Sequence, residues 1–270
     1  MSIDSFKPSI WEQGLLLPFV DTSIVANLTT PPTEVNGKEV IWNALTPQEW
    51  KNYTKSSRID WEQLSTTPKT MQFDEQQYFA VMVDDVNKCQ LGKNGQGLEP
   101  TIMQNQANIL AENIDIEVIN YIIANTLPAN TLGSQAPIKI TPSNAYDTIV
   151  DLGVLLSKNK VPMSDRVICI NNTYLSMLEK DDRFTKNYEV LTNGIVQGAT
   201  INGAKVCVKE GFTEGKILLN HKSSTGFGMQ LSDISAVVLT EFFADGVRGL
   251  ASWGKIQLRT ESSAVANISY

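Results

Sequence analysis

Apolar residues fall on alternate positions from Met71 to Val83, and then, after a glycine-rich break, on every third or fourth position from Met103 to Tyr121. The first period is that of a half-buried strand, with Met71, Phe73, Phe79, Val81 and Val83 on one face. Glu75 and Gln77 interrupt that set, so a bend is expected there. Gly92, Gly95 and Gly97 then break regular structure, and Pro100 stands in the first turn of the next element, where a missing N–H matters least. From there Met103, Ala107, Leu110, Ile114, Val118 and Tyr121 form one helical stripe, while Gln104, Asn108, Glu112, Asp115 and Asn120 are expected to face away. Pro128 ends the run. A helix over 99–127 would be roughly 40 Å long, more than twice an average globular helix. Its β-branched pair, Ile122 and Ile123, lowers intrinsic propensity, so packing must hold it. Such a helix is either a long core helix of an α/β domain or a spine shared between subunits.

On the N-terminal side, Phe6 to Val20 is an apolar arm broken by Pro8 and Pro18, too interrupted to form a core of its own. From Pro31 to Thr70 the chain turns polar, yet it carries Trp42, Trp50 and Trp61 with Tyr53 and Arg58. Polar loops of that length are functional or disordered, and tryptophan and arginine are enriched where proteins dock. These five residues are therefore the expected intersubunit contacts; the alternative is that the tryptophans pack inward on their own domain. Residues 37–44 and 69–73 read as the two arms of a long hairpin.

Beyond the long helix, Ser134 to Ile140 reads as a short strand. Pro142 to Lys160 reads as a helix capped by Ser143 or Asn144, with Tyr146, Ile149, Val150, Val154 and Leu155 on one stripe. Arg166 to Asn171 is a buried strand, Thr173 to Lys180 a short helix, Ile201 to Val208 a hairpin arm beside Asn202-Gly203, and Lys216 to Asn220 another strand. Together they form a compact α/β unit. Asp233 to Phe243 and Val247 to Arg259 are further strands, joined through Ala244-Asp245-Gly246, that pair with each other or return to the Met71 strand.

At 270 residues and 42% hydrophobic the chain is long enough for one large core or two smaller domains. It has neither a membrane-spanning apolar run nor a signal sequence, which points to manufacture in the cytosol. A net charge of -7 works against tight, sequence-specific reading of nucleic acid. Cys89, Cys169 and Cys207 have neither disulfide-framework nor zinc-site spacing and are expected to be reduced.

Chemistry-bearing motifs are sparse. His221 is the sole histidine; paired with Cys169 or a serine it would be a nucleophilic dyad, but no nucleophile elbow accompanies it and a structural role is favoured. The loop at Gly92 lacks the Gly-Lys-Ser/Thr ending of a phosphate cradle and reads as a hinge. Asp84-Asp85 and Glu179-Lys180-Asp181-Asp182 lack calcium-loop spacing and read as solvated charges. No catalytic, cofactor or metal site is predicted.

Three stretches, in order along the chain, carry a family likeness: Phe6-Lys7-Pro8-Ser9-Ile10-Trp11, then Gln77 to Asp85, then Phe242 to Leu250 with Trp253-Gly254. With them the chain resembles the major capsid proteins of tailed bacteriophages, the Hong Kong 97-like fold. The resemblance implies an α+β subunit with an N-terminal arm (1–35), an extended loop (36–71) and a peripheral domain (72–140) carrying the spine helix. An axial α/β domain (141–230) and C-terminal strands returning to the core (231–270) would complete it. It further implies pentamers and hexamers closing an icosahedral shell in the virion, assembled in the host cytoplasm. The implied partners are a separate scaffolding protein, a portal, and double-stranded DNA touched weakly along an acidic inner wall. An encapsulin-like compartment holding a cargo enzyme is the alternative within the same fold, and a soluble enzyme using His221 is the reading outside it.

Overall fold

The computed structural model describes residues 23–32, 39–45, 51–52, 54–55, 58–59, 61, 63, 66–84, 98–181, 183–184, 189–190, 195–239 and 241–270. The long helix, α2, runs Leu98–Asn125, and a short α1, Val25–Leu28, precedes it. The strand around Met71 is two strands, β2 (Thr66–Gln72) and β3 (Glu75–Asp84). The break falls at Phe73–Asp74, ahead of the expected interruption at Glu75 and Gln77. β1 (Glu39–Leu45) pairs antiparallel with β2, from Glu39 opposite Gln72 to Leu45 opposite Thr66, which is the expected hairpin.

The remaining elements are β4 (Thr131–Leu132), β5 (Ile138–Lys139), α3 (Ala145–Lys158), β6 (Arg166–Ile170) and α4 (Asn172–Leu178). They continue with β7 (Glu189–Val190), β8 (Ile195–Ile201), β9 (Ala204–Val208) and β10 (Lys216–His221). β11 (Thr225–Leu239), β12 (Ala244–Gln257) and β13 (Ser263–Ser269) close the chain. Asn202 and Gly203, at φ 50° and 77°, make the two-residue turn between β8 and β9, which needs both residues in the left-handed region.

Two larger sheets result. One has eight strands in the order β4-β13-β10-β6-β9-β8-β7, with β5 also on β13; the other is β11-β12-β3. Both pairings anticipated for the C-terminal strands therefore occur at once. The turn, however, lies between Leu239 and Ala244, which face each other in the ladder, and Asp245-Gly246 sits inside β12 opposite Val83 and Met82. Ladder pairing on both sides overrides the local turn preference of Asp-Gly.

Alternation along the central strands sends side chains into two cores. Val167, Cys169, Cys207, Leu218 and Val265 meet α1 and α2, while Ile168, Ile170, Val206, Ile217, Leu219, Ala264 and Ala266 meet α3 and α4. The first core continues without a gap onto the three-stranded sheet through Val247, Ala251 and Trp253. Helix α2 serves both sheets: Gln106 to Asn113 border β3 and β12, and at the other end Thr126 Oγ1 donates to Ser263 Oγ of β13 at 2.9 Å.

The buried face of α3 is Ala145, Thr148, Ile149, Leu152, Gly153 and Leu156, rotated from the predicted stripe, and Val154 is exposed. Asn144 precedes the helix, but its Oδ1 accepts from the Thr141 N–H outside it rather than from the first turn. Arg166, fully buried, closes the other end of α3. Its guanidinium donates to the carbonyls of Pro162, Gly153 and Val161 and to Ser157 Oγ, at 2.7 to 3.2 Å. The Val161 and Pro162 carbonyls lie just beyond the helix C-terminus and that of Gly153 within its last turns, where the negative pole suits a cation. Burial still pulls the Arg166 pKa down. Among the described residues no helix is long and apolar enough to cross a membrane.

Candidate assembly surfaces

The β1–β2 ribbon is seated on its own chain through glycines. A Cβ at Gly226 of β11 would stand 2.9 Å from the Trp42 ring, and one at Gly228 would stand 3.0 Å from the Met71 methyl. At Gly254 of β12 a Cβ would collide with the Gln72 carbonyl oxygen. Lys69 Nζ fixes the same root by donating to the carbonyls of Gln257 and Leu258 at 3.0 and 2.6 Å. Trp42 is thus half-buried on β11, whereas Arg58 is exposed and Trp61 is 90% exposed, with Ile59 beside them also exposed. Among the described members of the predicted contact set, Trp42 is packed on its own chain while Arg58 and Trp61 stand in solvent. Trp50 and Tyr53 lie outside the described residues, as do the glycine-rich loop, Asp85, Asp182, Cys89 and the arm before Ser23.

A second surface was not anticipated. Tyr78 and Leu250 are partners in the β3–β12 ladder and both are exposed, Tyr78 at 81%; Met82 follows along β3. At the turn between β11 and β12, Phe242 and Phe243 project, Phe243 at 88% exposure. The signal was available: from Tyr78 to Val83 every residue is apolar, and a strand apolar on both faces has more to bury than one core can accept.

The third element is the arm root, residues 23–32. Asp115, expected on the solvent face of α2, is wholly buried. Its Oδ1 accepts from Ser23 Oγ at 2.7 Å and from the Ile24 N–H at 3.1 Å, and Oδ2 pairs with Lys209 Nζ at 2.8 Å. Burial pushes the Asp115 carboxyl above its ordinary range, while Lys209, Ser23 and Ile24 pull it back. Further along, Leu28 O accepts from Asn220 Nδ2 at 2.7 Å, and Thr30 N donates to Thr225 O at 2.9 Å while its hydroxyl donates to Lys222 O. The arm root is therefore anchored to α2, β10 and β11.

The geometry does not bring His221 and Cys169 together. His221 faces Arg166 in the β10–β6 ladder and Leu218 faces Cys169, so the imidazole and the thiol stand about 10 Å apart along the strand. His221 Nδ1 lies 2.8 Å from Ser223 Oγ and accepts from the Ser223 N–H at 3.2 Å, capping the short helical turn at 222–224. Burial lowers its pKa. Asp181 is engaged by Arg183 at 2.7 Å, which holds its carboxyl below the usual range, and Arg183 also reaches Asp147 at 2.6 Å. Among the described residues no three His, Cys, Asp or Glu side chains group as a metal site.

A helix shared by two sheets, a hairpin ribbon and an anchored segment at 23–32 together fit the Hong Kong 97-like capsid fold, and the solved structures agree. A structure from Mycobacterium phage Che8 superposes with a TM-score of 0.67 over 91% of this chain and 91% of its own, at 19% identity. The capsid structure of cyanophage P-SCSP1u gives 0.68 over 92% and 89%, at 14% identity. The holo-SrpI encapsulin complex of Synechococcus elongatus gives 0.59 over 91% and 87%, at 15% identity. No protein-family model and no curated protein sequence matches the chain. The expected fold class is borne out.

Proposed function

We propose that this chain is the structural major capsid protein of a tailed bacteriophage, associating through pentamers and hexamers into an icosahedral shell around double-stranded DNA. The observation that carries the reading is the superposition of about nine-tenths of the chain on subunits from phage structures, one of them described as a capsid. In this reading residues 1–35 are the arm, 36–71 the extended loop, 72–140 the peripheral domain, 141–230 the axial domain and 231–270 the returning strands. Trp42, Trp50, Tyr53, Arg58 and Trp61 belong to the loop that reaches a neighbouring subunit. Trp42 fixes the loop's root, and Trp61, almost fully exposed, is the residue freest to dock. The exposed aromatics of the three-stranded sheet supply a further contact. The protein acts by shape and association rather than by catalysis. Its partners are further copies of itself, a scaffolding protein, a portal and weakly held DNA, in a virion assembled in the host cytoplasm.

The superposition on an encapsulin favours a second reading, a compartment enclosing a cargo protein. Electron microscopy with light scattering on the purified protein, alone and with the products of neighbouring genes, tests both. Closed shells filled with DNA support the capsid reading, and shells filled with one protein select the compartment. A strict monomer in every condition would overturn both. In the same assay Trp61→Ala should give a folded chain that forms few shells.

A further inference from the structure

Cys169 of β6 and Cys207 of β9 are direct partners in a parallel ladder. Both are buried and both point into the core under α1 and α2. Cys207 and the charges of Asp115 and Lys209 all act on the Cys169 thiol. Neighbouring strands lie about 4.8 Å apart, within the roughly 4.4–6.8 Å between Cα atoms that a disulfide spans. Ile24, Val25 and Leu28 of the arm root share the same core cluster, and α1 packs against β6, the strand that carries Cys169. Contact with Cys207 and burial raise the Cys169 pKa, so thiolate is scarce and the pair is inert while the arm root is seated.

We propose that Cys169 and Cys207 form a latent disulfide site, closed by a low-molecular-weight disulfide such as oxidised glutathione when the arm root lifts from α2. One cysteine loses its proton and attacks a glutathione sulfur, breaking the reagent's S–S bond and releasing one glutathione thiolate, which takes up a proton. The second cysteine, deprotonated in turn, attacks the protein sulfur of the mixed disulfide and expels the second glutathione. Two protein thiols are oxidised, one glutathione disulfide is reduced to two thiols, and the chain loses two hydrogens. The product joins β6 to β9 at the centre of the eight-stranded sheet. The inference rests on strand register, burial and the packing of the arm root, and is independent of what the protein encloses.

The test uses the full chain carrying Cys89→Ser, incubated with oxidised glutathione and followed by intact mass and peptide mapping. The expected product lacks two hydrogens, retains no glutathione and maps to a Cys169–Cys207 link. Adding Asp115→Asn, which weakens the arm anchor, should speed closure roughly tenfold by making local opening more frequent. Ser23→Ala replaces it should that variant fail to fold. A retained glutathione on the folded chain would overturn the proposal, as would no closure in either background while the denatured chain oxidises fully. Equal rates in both backgrounds would overturn the role of the arm root as gate.

Discussion

The eight-stranded and three-stranded sheets solve the same burial problem in different ways. The first has helices on both faces, and its central strand β6 is buried along its whole length. The second is backed by α2 through Phe79, Val247, Ala251 and Trp253, yet Tyr78, Met82, Leu250, Phe242 and Phe243 remain in solvent. The eight-stranded sheet buries its central strands within a single chain, and the three-stranded sheet presents apolar side chains that a single chain leaves open. Stability should therefore reside mostly in the first and association mostly in the second.

The largest test of that division is Arg166→Ala, which strips the charged donor from three carbonyls around the end of α3 and leaves a hole. Thermal and denaturant unfolding should show a loss on the order of 4 kcal/mol. Arg166→Lys should recover only part, because an ammonium cannot reproduce the planar fork. An unchanged melting temperature would mean that the eight-stranded sheet is not where stability resides.

Gly254→Ala comes next. The new methyl meets the Gln72 carbonyl, so the ribbon must shift, at a cost of about 1–3 kcal/mol. Hydrogen exchange should quicken in 39–45 and 66–72 while β6 and β10 stay protected; uniform loss of protection would show that the two sheets unfold as one.

A smaller effect follows from His221, whose folded-state pKa lies below 6.5. As pH falls through 6.5 the unfolded chain takes up the proton first, so stability is lost between that pH and the lower folded value and regained as pH rises. Urea midpoints across this window should show the slope, and His221→Gln should flatten it. Since this is the chain's only histidine, a slope that persists in the variant would place the titration elsewhere.

Smallest in stability is Tyr78→Ser combined with Phe243→Ser, expected within about 0.5 kcal/mol of the parent. Sedimentation should nevertheless show a marked loss of assembled particles. Normal assembly, or a clear loss of stability, would break the comparison.

Elements whose signal is local were legible in the sequence. The stripe of α2, the buried run of β6 and the Asn202-Gly203 turn appear as their periods and turn chemistry predict. What failed depended on distant partners. Asp115 looked like a solvent-facing carboxylate because the groups that bury it, Ser23 and Lys209, stand about ninety residues to either side in sequence. Asp245-Gly246 looked like a turn because nothing local reveals that β3 and β11 flank it. The ribbon's arms were readable, but its seat was not, since Gly226, Gly228 and Gly254 give no hint in sequence of which ring or carbonyl rests on them.

The arm root also bears on the order in which the chain folds. Thr30 and Leu28 are stitched to Lys222 and Asn220, each bond spanning 192 residues. Closing loops of that length is entropically slow, and contacts so remote come late on a folding route. While a chain is still emerging from the ribosome, the root has nothing to bind and the first core stays open beneath it. The seat of residues 23–32 is therefore completed only after β10 and β11 have been made, so a segment early in the sequence is among the last to be fixed.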